Sequence, residues 1–237
     1  MKIAQTSTKI WAIVPAAGSG SRFSKTALKQ YQTIQEKTVL QHSVNALFNL
    51  PLAGCVLAIN PADDFAQTQQ FDETQKVHFC HGGKERVYSV LNALYYLRSM
   101  ADENDYVLVH DAARPCVSQQ SLVDLVNHVL KHDVSAILAT PVRDTLKRVD
   151  SGETINKTVD RSQLWQAQTP QMARLGTLIF ALEQALNAGF TVTDEASALE
   201  LANLEVHVVQ GRSDNIKVTY PEDLQFAELV IRARNNN

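Results

Sequence analysis

The 237-residue chain reads as one α/β domain with a mostly parallel sheet covered by helices. Three observations predict this class. Short apolar runs of strand length alternate with segments of helical periodicity, the pattern of a sheet built from crossover units. The residues able to do chemistry fall where the apolar runs end, and an open parallel sheet binds ligands beyond the carboxyl ends of its strands. The length suits one large domain, and 45% hydrophobic with 20% charged residues is ordinary for a soluble globular chain.

The first strand is Ile10-Trp11-Ala12-Ile13-Val14, an unbroken apolar run bounded by turn residues. Helical spacing follows at Val39, Leu40, Val44, Leu47 and Phe48, recurs at Val87, Val90, Leu91 and Leu94, and again at Leu122, Leu125, Val126 and Val129. Strand-like runs separate these helices at 55–59, 77–80, 106–110 and 135–139. Residues 141–163 break the alternation. Their β-branched residues, many charges and Ser151-Gly152 turn predict a β-hairpin with two polar faces, either a solvated surface hairpin or an arm reaching a neighbouring subunit. Helices are expected at 175–186, 194–202 and 222–234, with strand-like runs at 206–209 and 216–218. No internal repeat, low-complexity tract or linker divides residues 1–237, so a single domain is expected.

Composition excludes several classes. A formal net charge of −3 without any Lys/Arg block argues against nucleic acid. Cys55, Cys80 and Cys116 are sparse and form no C-x-x-C pair, which suits core packing in a reducing compartment. No apolar stretch approaches the ~20 residues of a membrane span, and residues 1–9 are polar and too short for a targeting peptide, so the cytoplasm is the expected location. His78 and His81 do not share a strand face, and His128 and His132, one helical turn apart, lack a third ligand nearby in sequence, so no protein-built metal site is expected. A serine hydrolase has no Gly-x-Ser-x-Gly elbow to rest on.

The most informative segment is Val14-Pro15-Ala16-Ala17-Gly18-Ser19-Gly20-Ser21-Arg22-Phe23, followed by Lys29. Small residues after a strand let the backbone approach a phosphate, and consecutive N–H groups make an anion-binding nest. Arg22 and Lys29 add two cations. Two familiar phosphate loops are excluded. The dinucleotide fingerprint requires a third glycine where Phe23 stands and an acidic residue after the second strand, where Asn60-Pro61 is found. The P-loop requires Gly-Lys-Ser/Thr, but Gly83-Lys84 is followed by Glu85. A glycine-rich turn with no ligand is the plainer alternative.

Further polar residues gather at the same sheet edge: Asp111 and Arg114 after strand 106–110, Gly82-Gly83-Lys84-Glu85-Arg86 after strand 77–80, and Lys217 near the last strand-like run. Each has a bland reading. Asp111 can simply pair with Arg114, Lys217 can snorkel at the surface, and Thr193 can be the N-cap of the helix that follows it. Their shared location is what favours a site.

Together these stretches resemble the 2-C-methyl-D-erythritol 4-phosphate cytidylyltransferase family of the non-mevalonate isoprenoid pathway. The matching segments are VPAAGSGSRF with LKQY, GGKERVYSV, VHDAARP, PVRDTLKR, TVDRSQLWQAQTPQ, TDEASALE and DNIKVTYPEDL, in order across residues 14–224. The resemblance implies a Rossmann-like three-layer nucleotidyltransferase fold, with 141–163 as a β-arm that clasps the second subunit of a homodimer. It implies Arg22, Lys29 and Lys217 as catalytic cations; Ala16, Ala17, Gly18 and Gly20 around the triphosphate; and Gly82, Gly83 and Ser89 where cytosine is read. Asp111, Arg114, Thr169, Thr193 and Lys217 match residues around methylerythritol phosphate and the reacting phosphate, Asp111 facing CTP as well, while Thr145 and Arg161 match arm residues that reach the partner's site. Mg²⁺, bound mainly through the CTP phosphates, is the implied cofactor. Leu28 stands where the family often has proline, and Lys84 where it often has an acidic residue. A pentitol-phosphate cytidylyltransferase, acting for example on ribitol 5-phosphate, is the nearest alternative enzyme, and a nucleotide-sensing domain without turnover is the non-enzymatic one.

Overall fold

An unbroken apolar strand is stable only where both of its faces are covered. In the computed structural model, which describes residues 3, 8–18, 23 and 28–235, that is the situation of β1 (Ile10–Pro15). Ile10, Ala12 and Val14 enter one apolar cluster, and Trp11 and Ile13 enter another on the opposite face. A small hairpin of β2 (Thr33–Ile34) and β3 (Lys37–Thr38) leads into α1 (Val39–Leu47). Then come β4 (Gly54–Ile59), the short α2 (Asp64–Thr68), β5 (Val77–His81), α3 (Arg86–Leu97), β6 (Tyr106–Val109) and α4 (Gln119–His132). The second half holds β7 (Ser135–Pro141), β8 (Leu146–Val149), β9 (Ile155–Val159), β10 (Trp165–Arg174), α5 (Leu175–Asn187), α6 (Glu195–Leu201), β11 (Val206–Gln210) and α7 (Glu222–Asn235).

Seven strands form one sheet in the order β11-β7-β10-β6-β1-β4-β5. Only β10 runs against the rest, pairing antiparallel with both β6 and β7. Apolar faces of α1 and α4 cover one side through Leu40, Val44, Leu122 and Val126. On the other side α3, α5 and α6 contribute Val90, Leu94, Leu178, Leu182 and Leu199. The expected three-layer α/β fold is therefore present. The expected hairpin is present too: β8 and β9 form a separate antiparallel pair, exposed along most of its length, between β7 and β10.

Three expectations need correction. Strand β10 was not foreseen: Trp165-Gln-Ala-Gln-Thr-Pro-Gln has no apolar alternation and contains Pro170, which ordinarily argues against an inner strand. It survives there because the register shifts between Ala167 and Gln171, and because its buried amides are bonded outside the ladder. Gln168 donates to the Arg212 carbonyl at 2.9 Å, and Gln171 to an Asp194 carboxylate oxygen at 2.9 Å. Residues 216–218 are not a strand but a loop, anchored where Val218 N–H donates to Ala113 O at 2.8 Å. The N-cap of α6 is Asp194 rather than Thr193, its side chain accepting from Ser197 N–H in a reciprocal capping box.

Candidate active site

Four segments meet at the carboxyl edge of the sheet: the turn after β1, the glycine pair and first turn of α3, the turn after β6, and the loop from β11 to α7. They enclose a cavity of about 350 Å³ lined by Ala16, Ala17, Gly18, Lys29, Gly83, Ser89, Arg86, Asp111 and Lys217 among others. The glycines are required here by close packing. A Cβ on Gly82 would lie 2.4 Å from Ala17 Cβ, and one on Gly83 would lie 2.3 Å from Tyr88 Cβ. Ser89 Oγ accepts from Gly83 N–H at 3.0 Å, which ties the glycine pair to α3.

Asp111 is the electrostatic centre, only 7% exposed. Its Oδ1 accepts from Arg86 Nε at 3.0 Å, and its Oδ2 lies 2.7 Å from Lys217 Nζ and 3.6 Å from Arg114 Nε. Burial alone would raise its pKa, but Arg86, Lys217 and Arg114 hold the carboxyl well below the usual carboxylate range, so it is an anion at any physiological pH. Arg86 also makes a bidentate pair with Glu195, at 2.7 and 3.0 Å. Arg114 extends to the Asn215 carbonyl at 2.7 Å. Lys29 Nζ donates to Val218 O at 3.1 Å, next door to Lys217.

A buried relay holds the turn after β6. His110 Nε2 lies 3.0 Å from the Arg114 carbonyl, which can only accept, so Nε2 carries the proton. Its Nδ1 is then the acceptor for the Thr169 hydroxyl at 3.0 Å, and Thr169 Oγ1 in turn accepts from Asp111 N–H at 3.0 Å. Burial lowers the His110 pKa to about 4, which keeps this ring neutral near pH 7 and the relay intact.

A second cavity, of about 550 Å³, opens where the hairpin leaves the sheet. Arg114, Thr140, Arg143, Gln168, Asn215 and Lys217 are among its lining residues. Lys217 lines both cavities.

Comparison with known proteins decides which family has this arrangement. The model of the family "2-C-methyl-D-erythritol 4-phosphate cytidylyltransferase" matches residues 10–233. A protein of that name from Acinetobacter baumannii (strain AYE) is 60% identical over 232 residues, 98% of each chain. One from Vibrio vulnificus (strain YJ016) is 44% identical over 97% of each. Among solved structures, the Francisella tularensis protein of that name superposes with a TM-score of 0.80 at 36% identity, over 94% of this chain and all of the other. The chain belongs to the 2-C-methyl-D-erythritol 4-phosphate cytidylyltransferase family.

Of the residues that the sequence marked for a cytidylyltransferase of this family, Ala16, Ala17, Gly18, Lys29, Gly83, Ser89, Asp111 and Lys217 line the first cavity, and Arg114 lines the second with Lys217. Gly82 packs directly behind the first cavity, against Ala17 and Ser89. Thr169 is buried in the relay. Thr145, Arg161 and Thr193 are exposed and line neither cavity, Arg161 bonding the Arg143 carbonyl at the base of the hairpin. Gly20 and Arg22 lie outside the described residues. The sequence placed Arg86 at the polar edge but assigned no role to it, nor to Glu195, His110 or Asn215. Arg86 and Glu195 are 109 positions apart, and no local spacing signals their pairing. His128 and His132 do have a third histidine near, His207 Nδ1 lying 2.9 Å from His128 Nε2. Among the described residues, however, no group of three or more His, Cys, Asp or Glu is arranged to hold a metal ion.

Proposed function

We propose that the cavity beside residues 16–18 takes CTP, that the cavity at the base of the hairpin takes the acceptor phosphate, and that Lys217 lies between them at the reacting centre. The reaction is the one for which the family is named. A phosphate oxygen of 2-C-methyl-D-erythritol 4-phosphate attacks the α-phosphorus of CTP, the bond to the bridging oxygen breaks, and pyrophosphate leaves with that electron pair. The product is 4-diphosphocytidyl-2-C-methyl-D-erythritol.

The observation that carries this reading is the pair of cavities sharing Lys217 beside an anionic Asp111. The attacking phosphate monoester has a second pKa of about 6 and is already ionised at neutral pH, so no general base is needed. The one histidine of the turn is committed to its relay and is not a candidate base. What opposes reaction is the approach of one anion to another. Arg22, Lys29 and Lys217 hold the two phosphates in line and neutralise charge gathering on the α-phosphate and the departing pyrophosphate. Ala16, Ala17, Gly18 and Gly20 surround the triphosphate, and Gly82, Gly83 and Ser89 read the cytosine edge. Arg114 lines the acceptor cavity, Asp111 acts on it through Lys217, and Thr169 holds the turn that carries Asp111, while Thr193, outside both cavities, is assigned to the acceptor by the family resemblance alone.

Mg²⁺ accompanies CTP in this reading. The donor set favours a cation held by phosphate oxygens, because Asp111 is already engaged by three cationic side chains and the chain offers no cage of its own among the described residues. When bound, Mg²⁺ neutralises phosphate charge.

The hairpin serves as an arm that brings Thr145 and Arg161 to the site of a second subunit. Neither residue lines a cavity of its own subunit, and Val149, Ile155, Leu164 and Trp165 expose apolar surface along and beside the hairpin. The test is pyrophosphate release with CTP or UTP against methylerythritol phosphate or ribitol 5-phosphate. CTP with methylerythritol phosphate should give the highest kcat/KM. Preference for ribitol 5-phosphate would replace the acceptor assignment, and equal use of UTP would remove the role given to Gly82, Gly83 and Ser89.

A further inference from the structure

We propose that Glu195 is a positioning residue for the transfer: it holds Arg86, and through Arg86 it aims the Asp111 carboxylate that orients Lys217. The inference rests on the assignment of Lys217 to the reacting centre.

Glu195 is the first residue of α6, and its side chain is 3% exposed. A carboxylate so buried requires a cation and complete hydrogen bonding. Arg86 supplies both, with Nη1 on Oε1 at 2.7 Å and Nη2 on Oε2 at 3.0 Å. A guanidinium is a rigid plane, so fixing its two terminal nitrogens fixes the direction of the third. Nε then meets Asp111 Oδ1 at 3.0 Å. With that oxygen held, the carboxylate plane is set, and Oδ2 is the atom left to take Lys217 Nζ at 2.7 Å.

The charge count gives the same result. Arg86, Arg114 and Lys217 surround Asp111; without Glu195 one carboxylate would face three cations, and Arg86 would lose the partner for two nitrogens. The freed guanidinium would swing its terminal nitrogens onto Asp111 and compete with Lys217 for both oxygens. Glu195 lines neither the first nor the second cavity, so it acts on no substrate directly. Its whole effect on turnover is transmitted.

The test is a double-mutant cycle in steady-state kinetics with CTP and methylerythritol phosphate, alongside thermal melting and CTP affinity by calorimetry. Glu195→Gln keeps the side-chain volume but removes the charge and turns an amide N–H toward the guanidinium. It should lower kcat by about 10- to 100-fold, the cost of misplacing a reacting group by about an ångström. CTP affinity should change by less than about threefold, because uniform binding is untouched. In a Lys217→Ala background the same change should cost less than about threefold, since coupled residues are not additive. Equal costs in both backgrounds, or a kcat within about twofold of wild type, would overturn the proposal. Should Glu195→Gln fail to fold, the cycle is run with Glu195→Asp, which keeps the charge but shortens the reach; the same loss of additivity is expected and full additivity again refutes it. Absence of turnover by the wild-type enzyme would instead refute the reaction assigned, a separate outcome.

Discussion

Lys29 and Lys217 come from opposite ends of the chain and are joined by one short segment, since Lys29 Nζ donates to the carbonyl of Val218. Replacing Lys29 by alanine removes one of the charges assigned to the α-phosphate. Loss of one such donor typically costs about 10²–10³ in kcat. Lys29→Ala should show that loss while CTP affinity, measured by calorimetry, weakens far less. A kcat within about tenfold of wild type would remove Lys29 from the catalytic set. At this scale the sequence was readable in part. A lysine after a small-residue loop suggests a phosphate, whereas Lys217 in isolation is indistinguishable from a surface lysine. Its 2.7 Å contact with Asp111 exists only because a loop 106 positions later folds back over the turn after β6.

At the scale of elements, the start of α6 links helix capping to the site. Asp194 caps the helix, accepting from Ser197 N–H at 3.0 Å, and accepts again from Gln171 Nε2 at 2.9 Å, so one carboxylate joins α6 to β10. Asp194→Ala should lower stability by about 1–2 kcal/mol, the upper range for an N-cap because a buried amide also loses its acceptor. Urea unfolding measures this, and a change within about 0.5 kcal/mol, the range of neutral surface substitutions, would contradict it. Helices α1, α3, α4, α5 and α7 were legible because an amphipathic helix writes its buried face at a fixed period. Strand β10 was not, because beside Met172 and Ala173 its buried side chains include two glutamines and a threonine whose hydrogen-bond partners come from distant segments. A polar residue reads as exposed until its partner is known.

At the scale of the whole molecule, one buried histidine and two partly buried ones set a pH limit. Burial lowers His110 to about 4 and also lowers His42; His128 is lowered by burial and then by His132, His207 and Lys131. Each is below its unfolded value of about 6.5. Their contribution to stability is therefore complete above that pH and is lost as pH falls through it toward the folded values, because the unfolded chain takes up protons the folded chain refuses. Asp111 does not offset this, since its depressed pKa costs stability only below the unfolded carboxylate range. Between pH 7.5 and 5, His110 alone should remove about 2 kcal/mol. Urea midpoints across that interval should fall, and a flat profile would refute it. The arm makes a demand at the same scale. Arg161→Ala should raise the KM for methylerythritol phosphate with little change in CTP affinity, and Arg161→Lys should not fully rescue it, because lysine does not reproduce bidentate contact with a phosphate. Mixed with Lys29→Ala subunits, it should form heterodimers with one intact site and regain part of wild-type activity; exchanged dimers that stay inactive would place Arg161 at its own subunit's site.

Fold class, the polar edge of the sheet and the family were all legible in the sequence, because strand and helix periods and short-range motifs are local properties of the chain. Only the folded chain brings Arg86 and Lys217 to Asp111, sets Glu195 behind Arg86, joins His110 to Thr169 at the turn, and pairs a polar segment with a proline into the middle of the sheet. Each of these joins residues far apart in the chain. Their energy comes from burying charges and amides together, and no segment carries that energy until the others have folded against it.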